Sequence, residues 1–189
     1  MDKIVSIVFI AFMGAAVSAQ TTWKPDKAHS QVSFAITHLG ISEIEGSFDS
    51  FEATINATKE DFSDADYDVE IDASSINTGV GRRDDHLRNP DFFNVENNPK
   101  ITFKGKATEK ISDGKYKVSG DLTMNGVTKP VTLEIWHRGT IENQKGEKVA
   151  GLKITGKVNR SNFNLGPKFP EAVLSDEVLL EADGEFKKQ

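Results

Sequence analysis

From about residue 31 onward the chain repeats one pattern, an apolar residue followed by a polar one, in short runs bounded by turn residues. Val32, Phe34 and Ile36 alternate with Ser33, Ala35 and Thr37, and Tyr67, Val69 and Ile71 alternate with Asp66, Asp68, Glu70 and Asp72. Ile101 and Phe103 continue the pattern, as do Tyr116, Val118, Leu122 and Met124 with Gly120 on their face. Val131, Leu133 and Ile135 form another run, Ala150, Leu152, Ile154 and Val158 the next, and Val178, Leu180, Ala182 and Phe186 the last. A period of two sends successive side chains to opposite faces of a strand, so each run has one apolar and one wet face. That is the signature of antiparallel sheet, because parallel sheet is covered on both faces and reads as continuously apolar.

Turn chemistry agrees with the strands. Asn125-Gly126 separates two alternating runs, and both residues tolerate the positive φ that a two-residue hairpin demands. Asp113-Gly114 precedes the run at Lys115, and Pro130 stands at a strand start, where its missing N–H matters least. Gly120, Gly156 and Gly184 fall on apolar faces, where an absent side chain lets a sheet bend. Helix is confined to a turn or two between Lys59 and Ala65 and to residues 79–94, GVGRRDDHLRNPDFFN, where the alternation breaks. Gly79-Val80-Gly81 is not a dinucleotide fingerprint, since Asp84 occupies the place of its third glycine. The pattern predicts one all-β domain of seven or eight strands. A curled sheet with one apolar face must pack on a second sheet or close on itself, and periodicity does not choose between sandwich and barrel.

The N-terminus reads differently. Lys3 precedes an apolar run from Ile4 to Val17, and Val17-Ser18-Ala19 supplies small residues before Gln20. This is the layout of a secretory signal at 1–19, and its apolar run is shorter than the roughly 20 residues a membrane-spanning helix needs. The domain at 20–189 is therefore expected in the periplasm or outside the cell, without stable membrane insertion. The chain has no cysteine, which excludes disulfides, thiolate catalysis and cysteine-held metals. Its 29 acidic residues outnumber 23 basic ones, a balance that argues against a nucleic-acid partner.

Motifs for chemistry are sparse. His29, His38, His86 and His137 show no metalloprotease spacing, no G-x-S-x-G elbow occurs, and neither a metal nor a catalytic group is assigned. The densest polar cluster, Arg82-Arg83-Asp84-Asp85-His86, reads either as a salt-bridged surface turn or as a head-group contact at a pocket mouth. Arg160 reads either as a guanidinium tying loop carbonyls together or as a ligand contact. Trp136 shares parity with Thr132 and Glu134, which places it on the outer face unless a bulge turns it. Phenylalanine, at 12 residues, supplies most of the aromatic bulk without a polar atom to satisfy.

One ordered set of segments begins with W-K-P-D-K-A-H-S-Q-V-S-F-A-I-T-H-L-G at 23–40 and E-I-E-G-S-F at 43–48. It continues through S-I-N-T-G at 75–79, R-D-D-H-L at 83–87, P-D-F-F-N at 90–94 and P-K-I-T-F at 99–103. G-D-L-T-M-N-G-V-T-K-P-V at 120–131, N-R-S-N-F-N-L at 159–165 and L-S-D-E-V at 174–178 complete it. In this order the segments resemble the YceI-like family of small exported lipid-binding proteins. The chain departs from the family pattern around Phe163, where Asn162 and Asn164 replace an aspartate and a glycine.

The resemblance implies an eight-stranded, antiparallel, lipocalin-like barrel with a short helical excursion. Its apolar pore would hold an isoprenoid quinone, a polyprenyl chain or a fatty amide as ligand, with no other cofactor. Inward parity then nominates Phe34, Ile36, Phe48, Phe93, Phe103, Leu122, Met124, Leu133, Ile135, Leu152 and Ile154 as walls. Arg83, His86 and Arg160 are the head-group candidates. The family association leans toward a homodimer. Three activities remain open at this level: a lipid carrier, an enzyme using Asp84, Asp85 or His86 on such a lipid, and a filled barrel with a protein-binding surface.

Overall fold

Residues 19–189 are described in a computed structural model; the expected export signal, except Ala19, lies outside the described residues. Ten strands run in chain order as β1 (Thr21–His38), β2 (Ser42–Phe48), β3 (Phe51–Ala57), β4 (Asp66–Asp72), β5 (Ile76–Asn77), β6 (Lys100–Ser112), β7 (Lys115–Met124), β8 (Val127–Glu142), β9 (Lys148–Asn159) and β10 (Leu174–Lys188). Among the described residues one α-helix, α1 (Gly81–Arg88), lies between β5 and β6.

The ten strands make eight staves. β2 and β3 lie along one edge of β1, pairing Ser33 with Ser47 and Trp23 with Ile55, and are interrupted at Asp49-Ser50. β4 pairs with β3 and β5 with β2, and the 3-10 turn Ala73–Ser75 divides them. That turn is held by the Asp72 carboxylate, which accepts from the backbone N–H of Ser74. The remaining staves follow as β6, β7, β8, β9 and β10, and β10 pairs back onto β1 from Trp23–Lys188 to His38–Leu174. Every ladder is antiparallel. The sheet is therefore a closed barrel, the choice that period two left open.

Both faces obey the alternation. Outside, Lys100, Lys104 and Lys106 on β6 pair with Glu70, Asp68 and Asp66 on β4, which explains the acidic positions of that run. Trp136 lies on the outer face, 42% exposed, with Lys115 Nζ 5.1 Å and the Arg138 guanidinium 5.2 Å from its ring. Inside, Phe103, Leu122, Leu133, Ile135 and Leu152 are buried. The end of the barrel where β6 finishes and β7 begins is stoppered. Phe62, 1% exposed, wedges between Trp23 at 5.2 Å and His137 at 4.8 Å, while Tyr116 Oη donates to Asp61 at 3.0 Å.

Two of the inward glycines are required by close approach. Gly120 faces Gly105 across β6–β7, and a Cβ there would stand 2.2 Å from the Lys104 carbonyl oxygen. At Gly156 the Cβ position lies 2.2 Å from Leu133 Cδ2, so Leu133 rests in the space glycine leaves. Gly120→Ala meets backbone and should destabilise more than Gly156→Ala, which meets a movable methyl and should cost about 1–3 kcal/mol. Urea unfolding of the two variants checks the order, and Leu133→Val should recover part of the Gly156→Ala loss.

Candidate functional site

The other end of the barrel is hollow. β5 does not follow β6 as β4 does, and residues 78–99 fill the opening between those staves. A cavity of about 520 Å³ lies there. β1 contributes Phe34, Ile36 and His38, and β2 contributes Ile44 and Phe48. Met124 and Val158 enter from the mouth ends of β7 and β9, and Leu174, Val178 and Leu180 from β10. Over this half-barrel lie Thr78, then Arg83, His86 and Leu87 of α1, Phe92 and Phe93, and the loop residues Leu165, Phe169 and Val173.

Two aromatic groups shape the space. Phe48 packs on Phe34 at 5.7 Å and edge-on to Phe93 at 5.8 Å. His86 stands edge-on to Phe92 at 5.2 Å, and Phe92 lies 5.4 Å from Phe169. Phe34 lies flat because Gly46 offers no side chain; a Cβ at Gly46 would stand 2.5 Å from its ring.

The polar residues mostly secure the covering layer. Asp84 is buried and accepts from the Thr78 backbone N–H at 2.9 Å and the Thr78 hydroxyl at 2.5 Å. Arg83 grips the same threonine, donating Nε to its hydroxyl at 2.7 Å and Nη2 to its carbonyl at 2.9 Å. Arg88 donates to the carbonyls of Ser74 and Ile76 and pairs with Asp85. Burial pushes the Asp84 carboxyl up, but the Thr78 hydrogen bonds and the charges of Arg88 and Arg83 outweigh it and hold the group below the usual range. His86 Nε2 lies 3.7 Å from Asp91, whose carboxylate also takes Lys168 at 2.7 Å.

Arg160 is 6% exposed and spends every donor on the loop that follows it. Its Nε donates to Ser175 O, Nη1 to Leu165 O and Gly166 O, and Nη2 to Phe169 O and Leu174 O, at 2.7–3.0 Å. A guanidinium has five N–H groups, so none remains for a ligand. Asn164 adopts φ 55°, a conformation that asparagine tolerates after glycine best, and Asn162 is exposed and outside the cavity lining.

Of the eleven wall residues that parity nominates, Phe34, Ile36, Phe48, Phe93 and Met124 line the cavity. Phe103, Leu122, Leu133, Ile135 and Leu152 do not: they face inward as expected but sit deeper, where the barrel is filled. Ile154 packs half-buried against that core, also away from the cavity. Period two reports which face a side chain takes and carries no information on its depth along the barrel. Val178 and Leu180, which share the inward parity of β10, also line the cavity, and so do Phe92, Leu165 and Phe169, which lie in irregular chain where no period marks them. Arg83, His86 and Arg160 all touch the cavity, and the Arg82–His86 run combines both of its readings, since Asp84 and Arg83 fasten the turn while His86 faces the space.

The family model described as a YceI-like domain matches residues 23–186. A UPF0312 protein of Staphylococcus aureus is 38% identical over 168 residues, covering 88% of this chain and 94% of that one. The crystal structure of a Campylobacter jejuni YCEI protein is 34% identical and superposes with a TM-score of 0.75, covering 87% of this chain and 96% of that one. A polyisoprenoid binding domain from Saccharophagus degradans, implicated in plant cell wall breakdown, is 16% identical with a TM-score of 0.65, covering 88% and 98%.

Two outcomes follow from these contacts. Arg160→Met should destabilise the fold by about 3 kcal/mol or more, because buried carbonyls lose a charged donor. Arg160→Lys should recover only part of this, having three donors on one atom; urea midpoints measure both. Asp84 has a folded pKa below its ordinary 3.8, so its stabilisation is complete above about pH 4 and is lost as pH falls through the lowered value. Asp84→Asn should lower stability at neutral pH and flatten the acid limb of the stability–pH curve.

Proposed function

The chain belongs to the YceI-like family, and we propose that it binds and carries an isoprenoid-type lipid in the hollow end of its barrel, without transforming it. The observation that carries this reading is a cavity of about 520 Å³ walled mainly by Phe, Leu, Ile, Val and Met, with His38, Thr78, Arg83, His86 and Arg160 as its few polar residues. Burial of an apolar tail gains about 25 cal/mol per Å² removed from water, so a prenyl or fatty tail binds here by area and shape. The name of the Saccharophagus degradans domain supports the same ligand class. The acid–base candidates favour carriage over catalysis: Asp84 is committed to Thr78, and Asp85 points to Arg88 at 3.0 Å.

The charges at the mouth bear on the head group. Arg160 has no donor left, Arg83 stands beside Asp84, and His86 stands beside Asp91. Arg83 has the Asp84 charge nearby and Arg160 is fully bound by carbonyls, so a multiply charged diphosphate would find few free donors to compensate its desolvation. A quinone, alcohol or amide head needs only one or two hydrogen bonds, which Arg83 Nη1 and the His86 ring can make. The reading places the protein in the periplasm or outside the cell, after cleavage near Ala19, with the lipid as its only cofactor-like ligand.

Organic extraction of the natively purified protein followed by mass spectrometry should return a stoichiometric prenyl or acyl species. Val178→Trp, which fills the cavity from β10, should weaken binding of a prenyl alcohol by about tenfold or more while the protein stays folded. Unchanged affinity in that variant would place the site elsewhere. The prenyl alcohol should also bind more tightly than the diphosphate of the same chain length.

A further inference from the structure

The turn joining β1 to β2 carries an anomaly at the mouth of the cavity. Its three residues are Leu39, Gly40 and Ile41; Ile41 is 86% exposed and Leu39 52%. Leu39 also has φ +53°, a left-handed conformation uncommon for a residue with a bulky side chain. The same chain solves the equivalent problem conventionally between β7 and β8, where Asn125 and Gly126 take φ +47° and +73°. At residue 39 an apolar side chain is held in water, in a backbone conformation that asparagine would adopt with less strain.

The turn is pinned. Ile41 N–H donates to His38 O at 3.2 Å, and Leu39 N–H donates to Val173 O at 2.9 Å. His38 and Val173 both line the cavity, so the exposed pair stands on its rim. No charge lies within His38–Ser42. Val80, 48% exposed, follows the cavity-lining Thr78 by two residues on the same covering layer. Of the other exposed large hydrophobics, Ile111 and Ile141 lie near the ends of β6 and β8 at the stoppered end, Leu179 lies within β10 and is only 37% exposed, and Trp136 is flanked by cations.

We propose that the Leu39–Ile41 turn inserts into the surface of a lipid bilayer and holds the cavity mouth against it. This rests on the lipid-carrier reading for its purpose: a nearly insoluble tail passes from bilayer to cavity without crossing water only if the mouth abuts the bilayer. The chemistry is apolar insertion rather than attraction of charges. With a net charge of −6 the protein gains nothing from an anionic surface, and the turn suits a zwitterionic one.

The test reads insertion directly, with the cavity empty or full. In a Trp136→Phe background, Ile41→Trp should shift its emission to the blue on mixing with phosphatidylcholine vesicles and be quenched by brominated acyl chains, with little dependence on salt. Leu39→Asn with Ile41→Ser should reduce vesicle co-sedimentation at least tenfold and slow transfer of a fluorescent prenyl lipid out of vesicles. Its thermal stability should be unchanged or higher, since asparagine suits the backbone at 39. Unaltered tryptophan emission, or equal vesicle association of the double variant, overturns the proposal. So does loss of self-association in the double variant without any vesicle effect, which makes the turn a protein contact. Failure of every prenyl lipid to bind would instead defeat the carrier reading, and the insertion readout separates the two.

Discussion

Closure of β10 onto β1 is the contact on which the rest of the molecule depends. β1 is the longest strand, and it serves three partners: β10 along one edge, β3 and then β2 along the other. Without that ladder the apolar face of an eight-stave sheet would lie open, and two rows of backbone N–H and C=O groups would be unpaired. With it, no stave of the ring is left as a free edge over the lower barrel, and the inner face becomes an interior. The long β1 also sets the height of the barrel, because its first residues reach the stoppered end while His38 reaches the mouth.

The two ends of that interior are built on different rules. At the closed end, Phe62 plugs the opening between Trp23 and His137, and between there and the mouth Leu133 and Phe103 lie against the wall where Gly156 and Gly105 leave room. Side chains there meet across the axis and fill it. At the mouth, two staves are broken, at Asp49-Ser50 and at Ala73–Ser75, and β5 turns away from β6. The staves spread, α1 and the loops lie across the gap, and the side chains no longer meet. A void bounded by aromatic rings is the result.

Charge is used to build that cover rather than to arm it. Arg160 gathers five carbonyls of the 165–175 segment into one bundle, and Arg83, Asp84 and Thr78 lock α1 to the strand before it. A buried guanidinium that lost its acceptors would be costly, so these groups hold the loops in one arrangement. Their donors are largely spent within the cover, which suits an apolar occupant with a modest polar head.

Much of the fold was legible in the sequence. The alternating runs, the Asn125-Gly126 hairpin and the outer position of Trp136 follow from local geometry, because successive residues of a strand must point to opposite faces whatever lies beyond. Family resemblance added the barrel, inward parity then nominated eleven wall residues, and five of those eleven line the cavity. Phe92, Leu165 and Phe169 lie in irregular chain, which has no period, and parity gives Phe103, Leu122, Leu133, Ile135, Leu152 and Ile154 their inward face without saying that they lie below the cavity. By itself, then, the sequence determined the strands, their faces and their turns, which are properties of neighbouring residues. Only the tertiary structure decided that the sheet closes, which half stays hollow, and that Arg160 has no donor to spare. Each of these depends on groups far apart in the chain arriving at one place, and no local pattern encodes that meeting.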